Sequence, residues 1–115
     1  MTYVADYAAV EPARSAVEAL PGRVVLEFGA PWCGHCQAAQ AAIRALLDGR
    51  PEVAHLKVED GKGRPLGRSF GVTLWPTVIV LEDGRERARV VRPVRASDLD
   101  AVQASLPSTG GDASR

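Results

Sequence analysis

Cysteine is nearly absent from this chain, whose 115 residues include only Cys33 and Cys36. A bridge between positions so close constrains the unfolded chain much less than one spanning tens of residues, so the pair is not a structural staple. Net charge is missing as well, because 14 Lys and Arg offset 14 Asp and Glu. Without a basic footprint, the chain is expected to bind neither nucleic acid nor a membrane surface. Long apolar runs are also lacking: a stretch such as Val78–Leu81 falls far short of the roughly 18 residues that cross a bilayer. The first thirty residues hold Asp6, Glu11, Arg14 and Glu18 rather than a basic start followed by an apolar stretch. With Met1 at its head, the chain is expected to be cytoplasmic.

What remains is an ordinary globular composition, 46% hydrophobic in 12.2 kDa, sufficient for one domain around one core. That domain is expected over residues 1–106, as a monomer, followed by a disordered Ser-, Gly- and Asp-rich tail over 107–115. Ala13, Ala16, Val17 and Leu20 recur at helical spacing and predict a helix from Pro12 to Leu20, stopped by Pro21-Gly22. Arg23–Phe28 is apolar on both faces except for Glu27, the pattern of a central strand. From Cys33 the period turns helical, with Cys36, Ala39, Ile43, Leu46 and Leu47 on one face and Gln37, Gln40, Arg44 and Asp48 on the other. Gly49 and Pro51 end this helix.

Val53–Val58 is a strand whose strongly apolar face carries Ala54, Leu56 and Val58, and Pro65–Phe70 is a short helix. Thr77–Leu81 and Arg85–Val91 form a hairpin through Asp83-Gly84, with Arg85, Arg87 and Arg89 on one face as a solvated edge. Ser97 opens a final helix that buries Leu99, Val102 and Leu106. The order of elements implies an α/β sandwich with a mixed sheet, to which a further edge strand near Tyr3 would be added.

Cys33-Gly34-His35-Cys36 occupies the junction between strand and helix, where unpaired N–H groups and the positive end of the helix dipole favour a thiolate. Two cysteines three apart at a helix start can close a disulfide locally, with Cys33 facing solvent and Cys36 turned toward the core. Attack by Cys33 on a partner disulfide gives a mixed disulfide, which Cys36 resolves. The competing reading of C-x-x-C is half of a zinc site, but the remaining candidates are only His35, between the cysteines, and His55, on a strand. No metal is therefore expected, and Gln37 stands where haem attachment needs histidine. Gly34 and His35 are the thiolate-tuning pair: a protonated His35 stabilises the neighbouring thiolate and makes the pair more oxidising than proline would. Glu27, taken alone, reads most simply as a strand-end residue reaching water, because an ionised carboxylate is costly to bury dry.

The segment Phe28-Gly29-Ala30-Pro31-Trp32-Cys33-Gly34-His35-Cys36 resembles the active-site segment of the thioredoxin superfamily, and its tetrapeptide matches protein disulfide isomerase domains. Phe70-Gly71-Val72 and Trp75-Pro76-Thr77 resemble the family's cis-proline segment, with Asp83-Gly84 at its hairpin turn. The resemblance implies the thioredoxin fold, a central mixed four- to five-stranded sheet flanked by helices on both faces. It implies that Pro76 is cis, lies beside Cys33 and offers backbone groups to an extended substrate in a groove with Trp32, Trp75 and Arg92. It also implies that Glu27 is the family's buried acid, a carboxyl of raised pKa that takes the proton Cys36 must lose. Replacement of Glu27 by Gln is then expected to slow resolution and to leave or raise stability.

Four positions depart from the family: Gly29 is usually aromatic, Trp75 usually smaller, Ala41 commonly a helix-kinking proline, and Arg92 often glycine. Trp75 is expected to fill the space that Gly29 leaves. The function implied is a thiol-disulfide oxidoreductase that reduces protein disulfides with no cofactor beyond its own Cys33–Cys36 couple, re-reduced by a thiol reductant such as a thioredoxin reductase. An oxidase or isomerase, and a client-binding or chaperone module, are the alternatives.

Overall fold

The computed structural model describes residues 2–107; of the tail predicted over 107–115, all but Pro107 lies outside the described residues. The elements are α1 (Arg14–Glu18), β1 (Arg23–Gly29), α2 (Gly34–Leu47), β2 (Ala54–Glu59), α3 (Pro65–Ser69), β3 (Thr77–Glu82), β4 (Arg85–Val91) and α4 (Asp100–Gln103), the last entered through a 3-10 turn at Ala96–Leu99. One four-stranded sheet runs in the order β2-β1-β3-β4. β1 pairs parallel with β2 and antiparallel with β3, and β3 pairs antiparallel with β4.

Both faces of β1 are buried, as its apolar run predicts. Val24, Leu26 and Phe28 join Ile79, Leu81, Val17, Leu66 and Phe70 in one core beneath α1 and α3. On the opposite face Val25, Val78 and Val80 pack against Ile43, Leu46 and Leu47 of α2 and against Leu99, Val102 and Leu106. The sheet is thus a layer between helices, with α2 starting where β1 ends.

Four details depart from the pattern. Helix α1 is only Arg14–Glu18, and of the predicted stripe Val17 alone is buried. Among the described residues no strand precedes β1. The segment before α1 docks on β2 by the Ala8 N–H bond to the Lys57 carbonyl at 2.8 Å, while the Val4 N–H is taken by the His55 ring at 2.8 Å, so no repeating ladder forms. Ser97 does not cap the last helical segment: Arg95 holds that position, and the Asp98 carboxylate accepts from the N–H groups of Val94 and Arg95 at 3.0 Å each. Those bonds hold Asp98 below the usual carboxylate range. A register shift at Val80/Leu81 then breaks the predicted arginine face. Arg85 sits opposite Glu82 while Arg89 sits opposite Ile79, so the two project to opposite sides.

The hairpin turn matches its sequence signal. Asp83 and Gly84 have φ of 50° and 84°, as a two-residue turn between twisted strands requires. A Cβ on Gly84 would stand 2.2 Å from the Glu18 carbonyl oxygen, so the turn needs glycine for space as well as for φ.

Candidate active site

Cys33 is the N-cap of α2, and its Sγ accepts the Cys36 N–H at 3.3 Å. One helical turn therefore ties the two thiols together, and both are unbridged. Their burial differs in the expected order but not to the expected extent. Cys36 is 1% exposed, and Cys33 keeps only 8% rather than facing open solvent. Trp32, 70% exposed, stands beside it. Burial is the largest influence on Cys36, reinforced by the neighbouring Cys33, and pushes its thiol up to about 11. Gly34 and His35 lie on the exposed side of the first turn.

The Trp75-Pro76 peptide is cis. Trp75 packs edge-on against Trp32 with ring centroids 5.5 Å apart, and it joins the apolar cluster of Ala30, Cys33 and Cys36. Its Nε1–H donates to Asp60 Oδ2 at 2.8 Å, and the Asp60 N–H donates to the Gly29 carbonyl at 2.8 Å. Asp60, read from sequence only as part of a glycine-rich loop, thus orients one wall of the site.

Arg92 has φ of 55°, the conformation that explains glycine in relatives. Its N–H donates to the Pro76 carbonyl at 2.8 Å and its Nε–H to the Trp75 carbonyl at 2.8 Å. The side chain therefore braces the cis-proline segment from outside.

Glu27 does not reach water; it is 0% exposed. Its Oε1 lies 2.9 Å from His55 Nε2 and its Oε2 accepts from Gln40 Nε2 at 2.8 Å. The Val4 N–H donates to His55 Nδ1, so the ring proton sits on Nε2 and points at Glu27. Gln40 continues the chain: its Nε2 also donates to the Cys36 carbonyl at 2.9 Å, while its Oε1 accepts from Lys57 Nζ at 2.8 Å and Tyr3 OH at 2.6 Å. Lys57 Nζ spends another donor on the Ala5 carbonyl at 2.7 Å.

The joint role of Gln40, His55 and Lys57 is not legible in the sequence, because polar spacing there reads as a second, polar face. The parallel register sets Lys57 beside Glu27 and His55 beside Val25, so all three polar groups share the α2 face of the sheet. The available signal was Glu27 itself: a carboxylate in a doubly covered strand requires donors, and a neighbouring strand offers two at alternate positions.

The space at Gly29 is not filled by Trp75. A Cβ there would stand 2.5 Å from Cys36 Sγ and 2.9 Å from the Tyr7 hydroxyl, so the Cys36 sulfur and a tyrosine from the N-terminal segment occupy it.

Among the described residues no group of three or more His, Cys, Asp or Glu side chains is arranged to hold a metal, and no helix is long and apolar enough to cross a membrane. The family model for thioredoxin matches residues 9–105. Thioredoxin 2 from Pseudomonas aeruginosa, solved in its reduced form, is similar with a TM-score of 0.76 and 56% identity, covering 85% of this chain and 92% of that one. The thioredoxin of Chlamydia muridarum is 38% identical over 82 residues, 70% of this chain and 76% of the relative. Protein disulfide-isomerase A2 of Pongo abelii is 42% identical over 65 residues, 53% of this chain but only 12% of that protein. The thioredoxin fold, a dithiol at the start of α2 and a cis Trp75-Pro76 peptide whose Trp75 packs against that dithiol converge with these similarities, and the chain belongs to the thioredoxin family of thiol-disulfide oxidoreductases, which act on protein disulfides through their own cysteines.

Proposed function

We propose that the chain is a cytoplasmic, monomeric protein-disulfide reductase in which Cys33 attacks and Cys36 resolves. The asymmetry of the two thiols carries this reading: Cys33 retains accessible surface at the helix N-cap, whereas Cys36 is 1% exposed and its thiol is pushed up to about 11. Cys33, aided by the first-turn N–H groups and by His35, attacks the client disulfide; one client sulfur leaves and the other remains bonded to Cys33. Cys36 then loses its proton and displaces the client from Cys33, closing the Cys33–Cys36 disulfide.

Glu27 is the base in this scheme. Support comes from Gln40, whose amide bonds both the Glu27 carboxylate and the Cys36 carbonyl and so holds the acid one residue away from the thiol's backbone. Trp32, Trp75, Pro76 and Arg92 form the client groove, and a thiol reductant such as a thioredoxin reductase returns the couple to the dithiol.

The direct test is insulin reduction followed by turbidity, driven by dithiothreitol or by a thioredoxin reductase with NADPH. Turnover that disappears in Cys33→Ser is expected. Wild-type protein inactive with both reductants would instead favour a client-binding module on the same fold.

A further inference from the structure

Tyr7 lies in the segment before α1, and three contacts set its ring above Lys57. The Ala8 N–H bonds the Lys57 carbonyl at 2.8 Å, Lys57 Nζ bonds the Ala5 carbonyl at 2.7 Å, and the same ammonium stands 4.7 Å from the Tyr7 ring centroid. The hydroxyl projects into the space at Gly29, where a single missing Cβ would lie 2.5 Å from Cys36 Sγ and 2.9 Å from the phenol oxygen. Tyr7 and Cys36 also face a common cavity of about 380 Å³ with Gln40 and Lys57. Any larger residue at Gly29 would part the two groups.

We propose that the Tyr7 hydroxyl is a catalytic donor for the second half of the reaction, hydrogen-bonding Cys36 Sγ and stabilising the thiolate that resolves the mixed disulfide. The proposal rests on Cys36 being the resolving thiol. In the step, the Cys36 S–H proton passes to Glu27 and its electron pair stays on sulfur. That sulfur attacks Cys33 Sγ, the bond from Cys33 to the client sulfur breaks, and the client leaves as a thiolate with the bonding pair. Cys33 and Cys36 end as a disulfide, and the client sulfur is reduced. Tyr7 keeps its own proton throughout. Burial, then the negative charges of Cys36 and Glu27, push its phenol well above the usual tyrosine range, so it remains a donor wherever the enzyme works. The bond from Tyr7 draws the Cys36 thiol down, against the upward push of burial. The other ionisable groups around this sulfur are Cys33 on its own helical turn, Glu27 from β1, Lys57 and Glu59 from β2, and Asp6 beside Tyr7. Tyr7 is the neutral donor among them.

The test uses full-length Tyr7→Phe and an aromatic disulfide whose released thiol is coloured, followed by stopped flow. The first release, caused by attack at Cys33, should be unchanged. The second, caused by resolution, should slow about tenfold, as expected for the loss of one hydrogen bond to a charged sulfur, and its pH midpoint should rise by about one unit. Equal second-phase rates and midpoints in Tyr7→Phe and wild type would overturn the proposal. A second phase that survives in Cys36→Ser would instead overturn the dithiol reading beneath it. Should Tyr7→Phe fold poorly, wild-type protein labelled at the tyrosine Cζ decides. Of its 2 tyrosines, Tyr7 should show a small step as Cys36 ionises near 11, and a Tyr7 signal indifferent to that ionisation would remove the contact.

Discussion

Replacing Glu27 by Gln tests the buried network most sharply, because the structure reverses the expectation drawn from sequence. In the wild type, both carboxylate oxygens accept: Oε1 from His55 and Oε2 from Gln40. The His55 proton cannot move to Nδ1 without displacing the Val4 N–H that donates there. A glutamine at 27 must therefore turn its oxygen to His55 and its NH₂ to Gln40. Gln40 can answer only by flipping, which takes its amide nitrogen off the Cys36 carbonyl and turns it toward Lys57 Nζ, itself a donor. Every arrangement leaves two donors facing each other. An unmet buried group costs about 1–3 kcal/mol, and loss of the compensating charge near buried Lys57 adds to it, so a loss of about 3 kcal/mol is expected. At roughly 4–8 °C per kcal/mol for a domain of this size, the melting temperature should fall by roughly 12–24 °C. Urea melts of reduced protein measure the change, and adding Lys57→Met should recover part of it by removing the facing donor. A midpoint for Glu27→Gln equal to or above wild type would refute the hydrogen-bond assignment.

Two further outcomes concern Cys36 and Arg92. The reduced protein should lose stability between pH 9 and about 11. The folded state holds the Cys36 proton up to about 11 while an ordinary thiol releases it near 9.0, so over that window the folded state binds more protons and rising pH favours unfolding. The loss, up to about 3 kcal/mol at 1.4 kcal/mol per unit, should be absent from Cys36→Ala melted in parallel; equal slopes would contradict it. Arg92→Gly relieves a positive φ but loses the bond to the Trp75 carbonyl, so it should lie within about 1 kcal/mol of wild type. Arg92→Ala loses the bond and keeps the strain, and denaturant midpoints that fail to rank it below glycine would count against that account.

The fold was legible where one residue type has one physical use. Apolar residues on both faces of Arg23–Phe28 marked the central strand, and Asp83-Gly84 marked a turn that needs two positive φ values. The Cys33–Cys36 spacing and its place after β1 located the site for the same reason. Polar residues were harder, because polarity along a strand or helix reads as exposure. His55 and Lys57 are buried, and Gln40 half-buried, through contacts with the N-terminal segment and β1 that arise only after folding; the Lys57 bond to Ala5 spans 52 positions. Tyr7 was invisible for a related reason. Its role depends on the space at Gly29, and sequence offers Trp75, the aromatic that departs from the family, for that space. Arg92 departs from the family in sequence, but only its φ of 55° shows why glycine is the usual solution there.

The order of the two thiols is the central claim, and trapping the mixed disulfide tests it most directly. Cys36→Ser and Cys33→Ser, each reduced and exposed to an excess of a disulfide-containing protein, are resolved on non-reducing gels and mapped by mass spectrometry. Cys36→Ser should accumulate a covalent adduct through Cys33 that dithiothreitol releases, while Cys33→Ser should form little, because the thiol left behind is 1% exposed and pushed up to about 11. Adducts forming as fast through Cys36 in Cys33→Ser would contradict the assignment of attacking and resolving roles.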